Sequence, residues 1–446
     1  MKTNPAIVLV GLAMLALPMT PLRGNAASAA PQSTALAPAS STTGAADSIP
    51  PGTVITMRNW AQFQNFMPDG MIALFQGKYF WKMPADVEMR VGPTIIHPLP
   101  EGYRTATEKY AAQVRIVHQA DGVTELIGYQ GGQPFPSPSG PDQGWEILAN
   151  LWFRYLPHLF VDSRAAGCLQ NRYGNIDCSA YEIVYRQLSY NTDPGIPTSL
   201  GADGKYFTEW LMTVAPEHKK YTASLSIAYN DITRDQDSYA FIPALRRYQA
   251  VSASARCSPA EGTDVTSDDF RFGFNGVIGH FQASFLGARK ILALTDYSIP
   301  TTPFPQSFDL PLGWPKPSWG NWQLRDVDVI DVRKIPSMAA GYCYGKRIMY
   351  IDQQFNAALW EELYDSDMQL QKLLSIFTHA MEAPQLGAVN SSGSQVEAMW
   401  DLKNAHATYY LDPADGQPFY LNGQVPKEFD DVARFSTPGG LNQIMR

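Results

Sequence analysis

Apolar and polar residues alternate with a period of two over several long stretches in the second half of the chain. The clearest examples are residues 183–190, 206–214 and 221–230. This period is typical of β-strands, because successive side chains point to opposite faces of a sheet. Since only residues 215–219 separate the last two stretches, we predict that they pair as an antiparallel hairpin.

The C-terminal part of the chain predicts a β-meander. Residues 347–351, 357–364 and 368–377 have strand-like composition, and two short turns that begin with Asp352 and Asp365 join them. Aspartate favours such turns because its side chain accepts hydrogen bonds from its own backbone. Further strands are predicted at residues 239–242, 248–253, 287–294, 322–333 and 346–351.

Trp60, Phe63 and Met67 have helical spacing on a short stretch that fits a helix or a strand edge, and two longer segments have the period of an α-helix. Residues 105–119 and residues 147–160 each place apolar side chains on one helical face. Because the strands are many and the helices few, the pattern favours a mainly β protein with some α, built on one large antiparallel sheet, over a doubly wound α/β fold.

Composition and charge exclude several classes of protein. The 446 residues are 45% hydrophobic and 17% charged, which is sufficient for a large buried core. The net charge of -8 leaves no broad basic surface for nucleic acid.

The N-terminus predicts export. Residues 1–29 combine a basic start, an apolar run and small residues suited to cleavage after Ala27 or Ala29, as in a signal peptide. Residues 30–52 are rich in Ser, Thr, Ala and Pro, and we expect a disordered lead there. We assign residues 53–446 to a single large domain. Because the first cysteine is Cys168, the exported chain lacks a lipidation site, and no later segment is expected to span a membrane.

Four cysteines in an exported chain predict two disulfides. Three pairings are possible for Cys168, Cys178, Cys257 and Cys343, and the sequence does not decide among them. The spacing favours Cys168 with Cys178, across the polar residues 169–177, and therefore Cys257 with Cys343.

No motif of an established catalytic class is present, and the seven histidines are scattered without the spacing of metal ligands. We expect no cofactor, no metal and no catalytic residue. Aspartates and arginines do concentrate between residues 235 and 271. We interpret them as a structural network in which arginines pair with carboxylates, with a calcium site as the alternative. Its members are Arg246, Arg247, Asp264, Asp268 and Asp269, with Arg271 as a further possible partner.

Four sequence blocks resemble a known periplasmic family, the domain-of-unknown-function 1329 family. The blocks are residues 237–247, 262–270, 322–327 and 344–352. This family is described as outer-membrane lipoprotein-sorting-like and is distantly similar to LolA and LolB. The resemblance implies a curved, unclosed β half-barrel with helices over its concave face and a hydrophobic cavity between them.

The resemblance also implies a function. We expect a periplasmic carrier for lipid, lipoprotein acyl chains or another hydrophobic compound, working with an outer-membrane protein or an RND-type exporter. An enzyme acting on a hydrophobic substrate and a structural adaptor of an envelope complex are the alternatives. Four aromatic residues on the predicted strands and loops are candidates for the cavity wall: Trp210, Tyr229, Phe241 and Phe274.

Overall fold

The computed structural model describes most of the predicted domain. The described residues are 48–201, 203–300, 302–383, 385–389, 395–412 and 419–445. The predicted signal peptide and most of the predicted lead lie outside them. Residues 48–52, the described end of that lead, pack on the domain: Ile49 is buried, and Gly52 donates a backbone hydrogen bond of 2.8 Å to the oxygen of Val91.

The helices are short. They are α1 (Asp69–Phe75), α2 (Glu101–Tyr110), α3 (Gln143–Trp152), α4 (Val432–Phe435) and α5 (Pro438–Leu441). Two short antiparallel ladders precede the main sheet and pair β1 (Val54–Thr56) with β2 (Glu88–Arg90), and β3 (Arg115–His118) with β4 (Thr124–Ile127).

The remaining strands follow in chain order. The first six are β5 (Leu159–Gln170), β6 (Ile176–Gln187), β7 (Lys205–Ala215), β8 (Ala223–Tyr229), β9 (Asp237–Ile242) and β10 (Arg247–Val251). Next are β11 (Phe281–Ala293), the small pair β12 (Phe308–Asp309) and β13 (Trp314–Pro315), β14 (Gln323–Lys334), β15 (Lys346–Asp352), β16 (Ala358–Tyr364) and β17 (Leu370–Thr378). The last are β18 (Met381–Ala383), β19 (Gly387–Val389), β20 (Gln395–Asp401), β21 (His406–Asp412) and β22 (Phe419–Leu421).

One antiparallel sheet of 14 strands organises the domain. Its order is β10-β9-β8-β7-β6-β5-β21-β20-β17-β16-β15-β14-β11, and β22 pairs additionally with β5. The sheet is unclosed, because β10 and β11 are its two edges. The C-terminal strand β21 lies between β5 and β20 and so joins the two halves of the sheet.

The predicted β elements are confirmed. Strands β7 and β8 form the predicted hairpin, and β15, β16 and β17 form the predicted meander. Both disulfides have the favoured pairing, Cys168 with Cys178 and Cys257 with Cys343. Cys168 and Cys178 lie directly opposite each other on β5 and β6, so the loop between these strands is shorter than the predicted 169–177.

Both predicted helices extend beyond the C-terminal ends of the observed helices. Helix α2 ends at Tyr110, and part of the predicted helical range 105–119 forms β3. Helix α3 ends at Trp152, before Pro157, and β5 begins at Leu159. β-branched apolar residues at helical spacing over a short range fit a strand equally well.

Both faces of the sheet are covered. We call the face that carries Glu209, Glu361 and Glu397 the cavity face, and the face that carries Trp210 and Trp400 the tryptophan face. On the tryptophan face, Glu362 accepts a 2.7 Å hydrogen bond from the backbone of Gly70 in α1. The C-terminal helices α4 and α5 cover the same face further along, where Phe435 packs edge-on against Trp210.

Helix α3 covers one end of the cavity face. It packs on β11 and β14, and Gly144 allows the close approach, because a Cβ there would lie 2.5 Å from the backbone oxygen of Ala283. Most of the remaining cover comes from residues 253–280, which we call the covering segment. This segment contains only short 3-10 turns, so the cover beyond α3 is largely irregular.

Charged side chains of the sheet hold the covering segment. Arg347 on β15 forms a buried ion pair of 2.7 Å with Asp269 and donates a 2.9 Å hydrogen bond to the oxygen of Gly273. Lys372 on β17 donates to the oxygen of Asp264 at 2.5 Å. These contacts replace the backbone ladder that an irregular segment lacks.

Gly273 permits the closest approach of the covering segment to the sheet. Its φ of 87° is left-handed, and a Cβ at this position would lie 1.6 Å from Oε1 of Glu361. Gly262 in the same segment also has a left-handed φ, 78°, but a Cβ there would meet nothing within 4 Å.

We therefore expect Gly262→Ala and Gly273→Ala to differ in stability. Backbone strain alone lowers the free energy of unfolding by about 1–2 kcal/mol for Gly262→Ala. The added clash with Glu361 lowers it by about 1–3 kcal/mol more for Gly273→Ala. Urea unfolding of both variants measures the difference, and equal losses would contradict this account of Gly273.

Candidate ligand cavity

A cavity of about 90 Å³ lies between the cavity face and the covering segment. Strands β5, β6 and β7 form its floor, and residues 270–272 form its cover. Apolar side chains dominate the wall, including Phe160, Ile183, Leu211 and Phe270. The lining therefore suits an apolar group of a ligand.

A second cavity of about 210 Å³ adjoins the first. The two share Glu209, Leu211, Phe270 and Tyr410 as lining residues. The rings of Phe270 and Tyr410 meet edge to face, with centroids 5.4 Å apart, and this aromatic pair belongs to both walls. Separation of the two rings would enlarge the space available to a ligand.

An unusual turn of the covering segment shapes the first cavity. Arg271 and Phe272 have φ values of 58° and 61°, and Gly273 follows at 87°. Left-handed conformations are unfavourable for residues with a side chain and tend to occur where function or tight packing requires them. Here the turn directs Arg271 and Phe272 into the cavity wall.

Arg271 is a buried cation beside this cavity. Its side chain is 8% exposed, and its guanidinium stacks over the rings of Trp152, at 4.6 Å, and Phe207, at 4.1 Å. None of its three nitrogens has a hydrogen-bond partner of normal geometry among the described residues. Burial raises the pKa of the adjacent Tyr206, while the charges of Arg271 and Arg154 and a hydrogen-bonding contact between the Tyr206 hydroxyl and Arg271 act in the opposite direction.

Arg154 is the second buried cation of the wall. It is 2% exposed, lies over the ring of Phe272 at 4.3 Å and donates a 3.0 Å hydrogen bond from Nη1 to the oxygen of Leu151. Its Nε and Nη2 have no hydrogen-bond partner within the described chain. Burial, followed by the neighbouring charge of Arg271, lowers the pKa of Arg154 to about 9, so it stays protonated at neutral pH.

The acidic groups of the wall are Glu209 and Glu397. Burial raises the pKa of Glu209, while Arg271 and Arg154 act to lower it. Burial also raises the pKa of Glu397 to about 8, with a further increase from Asp269. Glu397 is therefore largely protonated at neutral pH, which leaves Glu209 as the other acidic group beside two arginines.

The four predicted cavity residues are not in this wall. Trp210, Tyr229 and Phe241 are buried in a separate cluster under the C-terminal helices. Phe274 belongs to the covering segment, but it packs against Phe281 and near Arg347. The structure therefore brings three of the four together, away from the cavity.

The alternation of side chains along β7 explains why Trp210 is not in the cavity wall. Glu209 and Leu211 point into the cavity, so Trp210 between them must point to the tryptophan face. Because both faces of the sheet are buried, alternation alone does not tell which face borders the cavity.

Two of the predicted aspartates form ion pairs, but with arginines other than the predicted ones. Asp268 pairs with Arg256 at 2.6 Å, and Asp269 pairs with Arg347 at 2.7 Å. Asp264 lies 3.5 Å from His406. The predicted Arg246 and Arg247 are exposed residues at the start of the edge strand β10, and in the described chain they form no ion pair with these aspartates.

The sequence reasoning missed Arg154 and did not assign Arg271 to a cavity. One signal was available for Arg271, which stands between Phe270 and Phe272 in a Phe-Arg-Phe-Gly run. Binding residues often lie on loops, and an arginine can stack on the face of a neighbouring aromatic ring. This run was therefore a possible signal of a binding site. Arg154 offered no such signal, because it follows directly on an apolar helix.

In the described part of the chain, no group of three or more His, Cys, Asp or Glu side chains is arranged to hold a metal ion. In the same residues, no helix has the length and apolar character needed to cross a membrane.

Comparison with known protein families identifies the fold family. Residues 54–437 match the family model described as a protein of unknown function, DUF1329. The chain belongs to the DUF1329 family. The resemblance carried by the four sequence blocks is thereby confirmed. No curated protein matched the chain.

Several solved structures are similar at low identity. A domain from Vibrio parahaemolyticus, named for outer membrane lipoprotein sorting, is 13% identical with a TM-score of 0.46, and the match covers 67% of this chain and 100% of that one. A DUF1329 protein from Desulfovibrio piger is 11% identical, with the same TM-score of 0.46 and the same 67% and 100% coverage. A LolA superfamily protein from Nitrosomonas europaea is 13% identical with a TM-score of 0.37, covering 64% and 92%.

Glu397 makes the stability of the protein depend on pH. The folded carboxyl keeps its proton up to about pH 8, whereas an ordinary glutamate ionises near 4.5. Its contribution to stability is therefore present at low pH and is lost as pH rises from about 4.5 to about 8. We expect Glu397→Gln to gain about 3 kcal/mol over the unmodified protein between pH 5 and pH 8.

Urea unfolding at both pH values measures this gain. Glu382→Gln is the matched control, because Glu382 is exposed. A parallel pH dependence in Glu397→Gln and the unmodified protein would show that the buried carboxyl is not protonated as described.

Proposed function

We propose that this DUF1329 protein is a periplasmic binding or carrier protein for a hydrophobic compound such as a lipid or the acyl chains of a lipoprotein. The observation that carries the proposal is the largely apolar cavity between the sheet and the covering segment. Apolar groups transferred from water into such a cavity gain roughly 0.8 kcal/mol for each buried CH₂.

The covering segment gives the cavity a means of adapting to a ligand. Its backbone is held mainly by side chains of the sheet, and the Phe270–Tyr410 pair stands between the two adjoining cavities. A first cavity of about 90 Å³ is small for a long acyl chain, so a long ligand requires these rings to part. The combined space then follows the strands β5 to β8.

A binding role is favoured over a catalytic one. Asp268 and Asp269, two carboxylates of the predicted charge network, form ion pairs with Arg256 and Arg347. Such pairs hold the covering segment and leave these carboxylates without contact with the first cavity wall. The signal peptide, the periplasmic location and an outer-membrane or RND-type partner are parts of the same proposal.

A larger side chain in the first cavity should weaken ligand binding. Ala165 lines the first cavity, and its neighbour Ala166 lines a different one on the opposite side of the sheet. We expect Ala165→Leu to weaken binding of the neutral fluorescent probe N-phenyl-1-naphthylamine at least tenfold, because the added carbons occupy the ligand space. Ala166→Leu adds the same atoms elsewhere and should change the affinity less than twofold.

Fluorescence titration of the three proteins provides the measurement, and native mass spectrometry of gently purified protein checks for lipid already bound. Absence of probe binding together with a ligand-free mass would refute the carrier proposal. Equal weakening by both leucine variants would place the site outside this cavity.

A further inference from the structure

We infer that the ligand carries an anionic group, a carboxylate or a phosphate, that Arg271 binds within the cavity with help from Arg154. This inference rests on the proposed function and specifies the chemical class of the ligand: an acidic amphiphile, with its apolar part against the cavity wall and its charge on the guanidinium groups.

The first argument is the contrast with Arg325 and Arg347, two other buried arginines whose side chains extend from the sheet. Arg325 forms a buried pair with Asp352, and Arg347 forms one with Asp269, each at 2.7 Å. A buried charge without a partner is costly, and native proteins normally supply one. Arg271 and Arg154 depart from this pattern, since among the described residues neither forms an ion pair with a carboxylate and five of their six guanidinium nitrogens make no hydrogen bond of normal geometry. The Tyr206 hydroxyl is a neutral neighbour of Arg271 and does not compensate its charge.

The second argument is the geometry of Arg271. Trp152 and Phe207 lie against its guanidinium, so the contacts made by the protein are with aromatic rings. Such contacts leave the N–H groups available in the plane of the guanidinium, which is where a carboxylate or phosphate binds in a bidentate manner. The left-handed turn at Arg271 and Phe272 fixes this placement at the cavity wall.

The third argument is the charge of the wall. Two guanidinium groups and two carboxyl groups line the cavity, and burial raises the pKa of Glu397 to about 8, so Glu209 is the one other acidic group that faces the two arginines near neutral pH. The wall therefore presents hydrogen-bond donors and positive charge beside apolar side chains. A neutral lipid would satisfy the apolar part and leave the arginine donors without partners.

The test compares ligands that differ only in the head group. Decanoate, decyl phosphate and decanol compete with N-phenyl-1-naphthylamine for the protein, and isothermal titration with inorganic phosphate tests a free anion. We expect decanoate or decyl phosphate to bind at least tenfold more tightly than decanol. Arg271→Met should weaken the anionic ligand at least tenfold and change decanol less than threefold.

Two further variants keep the test decisive. Arg271→Lys retains the charge but not the bidentate donors, and we expect intermediate affinity for the anionic ligand. Arg247→Met removes an exposed arginine and should leave all affinities unchanged. Circular dichroism and melting temperature establish that each variant is folded.

The outcomes separate this inference from the proposed function. Equal affinities for decanol and decanoate, both insensitive to Arg271→Met, would overturn the anion site while leaving a hydrophobic carrier intact. Failure of every ligand and of the probe would overturn both. Tight binding of inorganic phosphate without any gain from the decyl chain would support the guanidinium site and overturn the amphiphile.

Discussion

An irregular segment that is buried against a β-sheet must find hydrogen-bond partners outside any backbone ladder, and this constraint determines the character of the cavity face. In this DUF1329 protein the sheet supplies the partners through long charged side chains. Arg347 and Lys372 reach backbone oxygens of the covering segment, and Arg347 also pairs with Asp269. The interior of the domain is therefore charged as well as apolar.

The same constraint explains why the cavity exists where it does. The covering segment is tightly joined to β15, β16 and β17, where Gly273 lies against Glu361. Over β5, β6 and β7 its contacts are made by Phe270 and by Arg271, whose donors make no hydrogen bond of normal geometry to the described residues. The segment is thus fixed to the sheet at Asp269 and Gly273, and the residues between them, 270–272, face the cavity.

The sequence was informative about strands and less so about what lies over them. The hairpin β7–β8 and the meander β15–β17 could be predicted, because alternation and aspartate turns are local signals. The orientation of Trp210 could not be predicted from the sequence, since both faces of β7 carry buried residues. The covering segment has no periodic pattern, and its partners come from strands distant in sequence, such as Arg347 for Asp269.

The disulfide between Cys257 and Cys343 limits how the domain can change shape. It anchors the start of the covering segment to the connection between β14 and β15, and the end of the segment continues directly into β11. A chain pinned at both ends cannot swing away as a flap. Any widening of the interior must come from local movement of residues 270–272, between the contacts that hold Asp269 and Gly273, while the sheet beneath keeps its pairing.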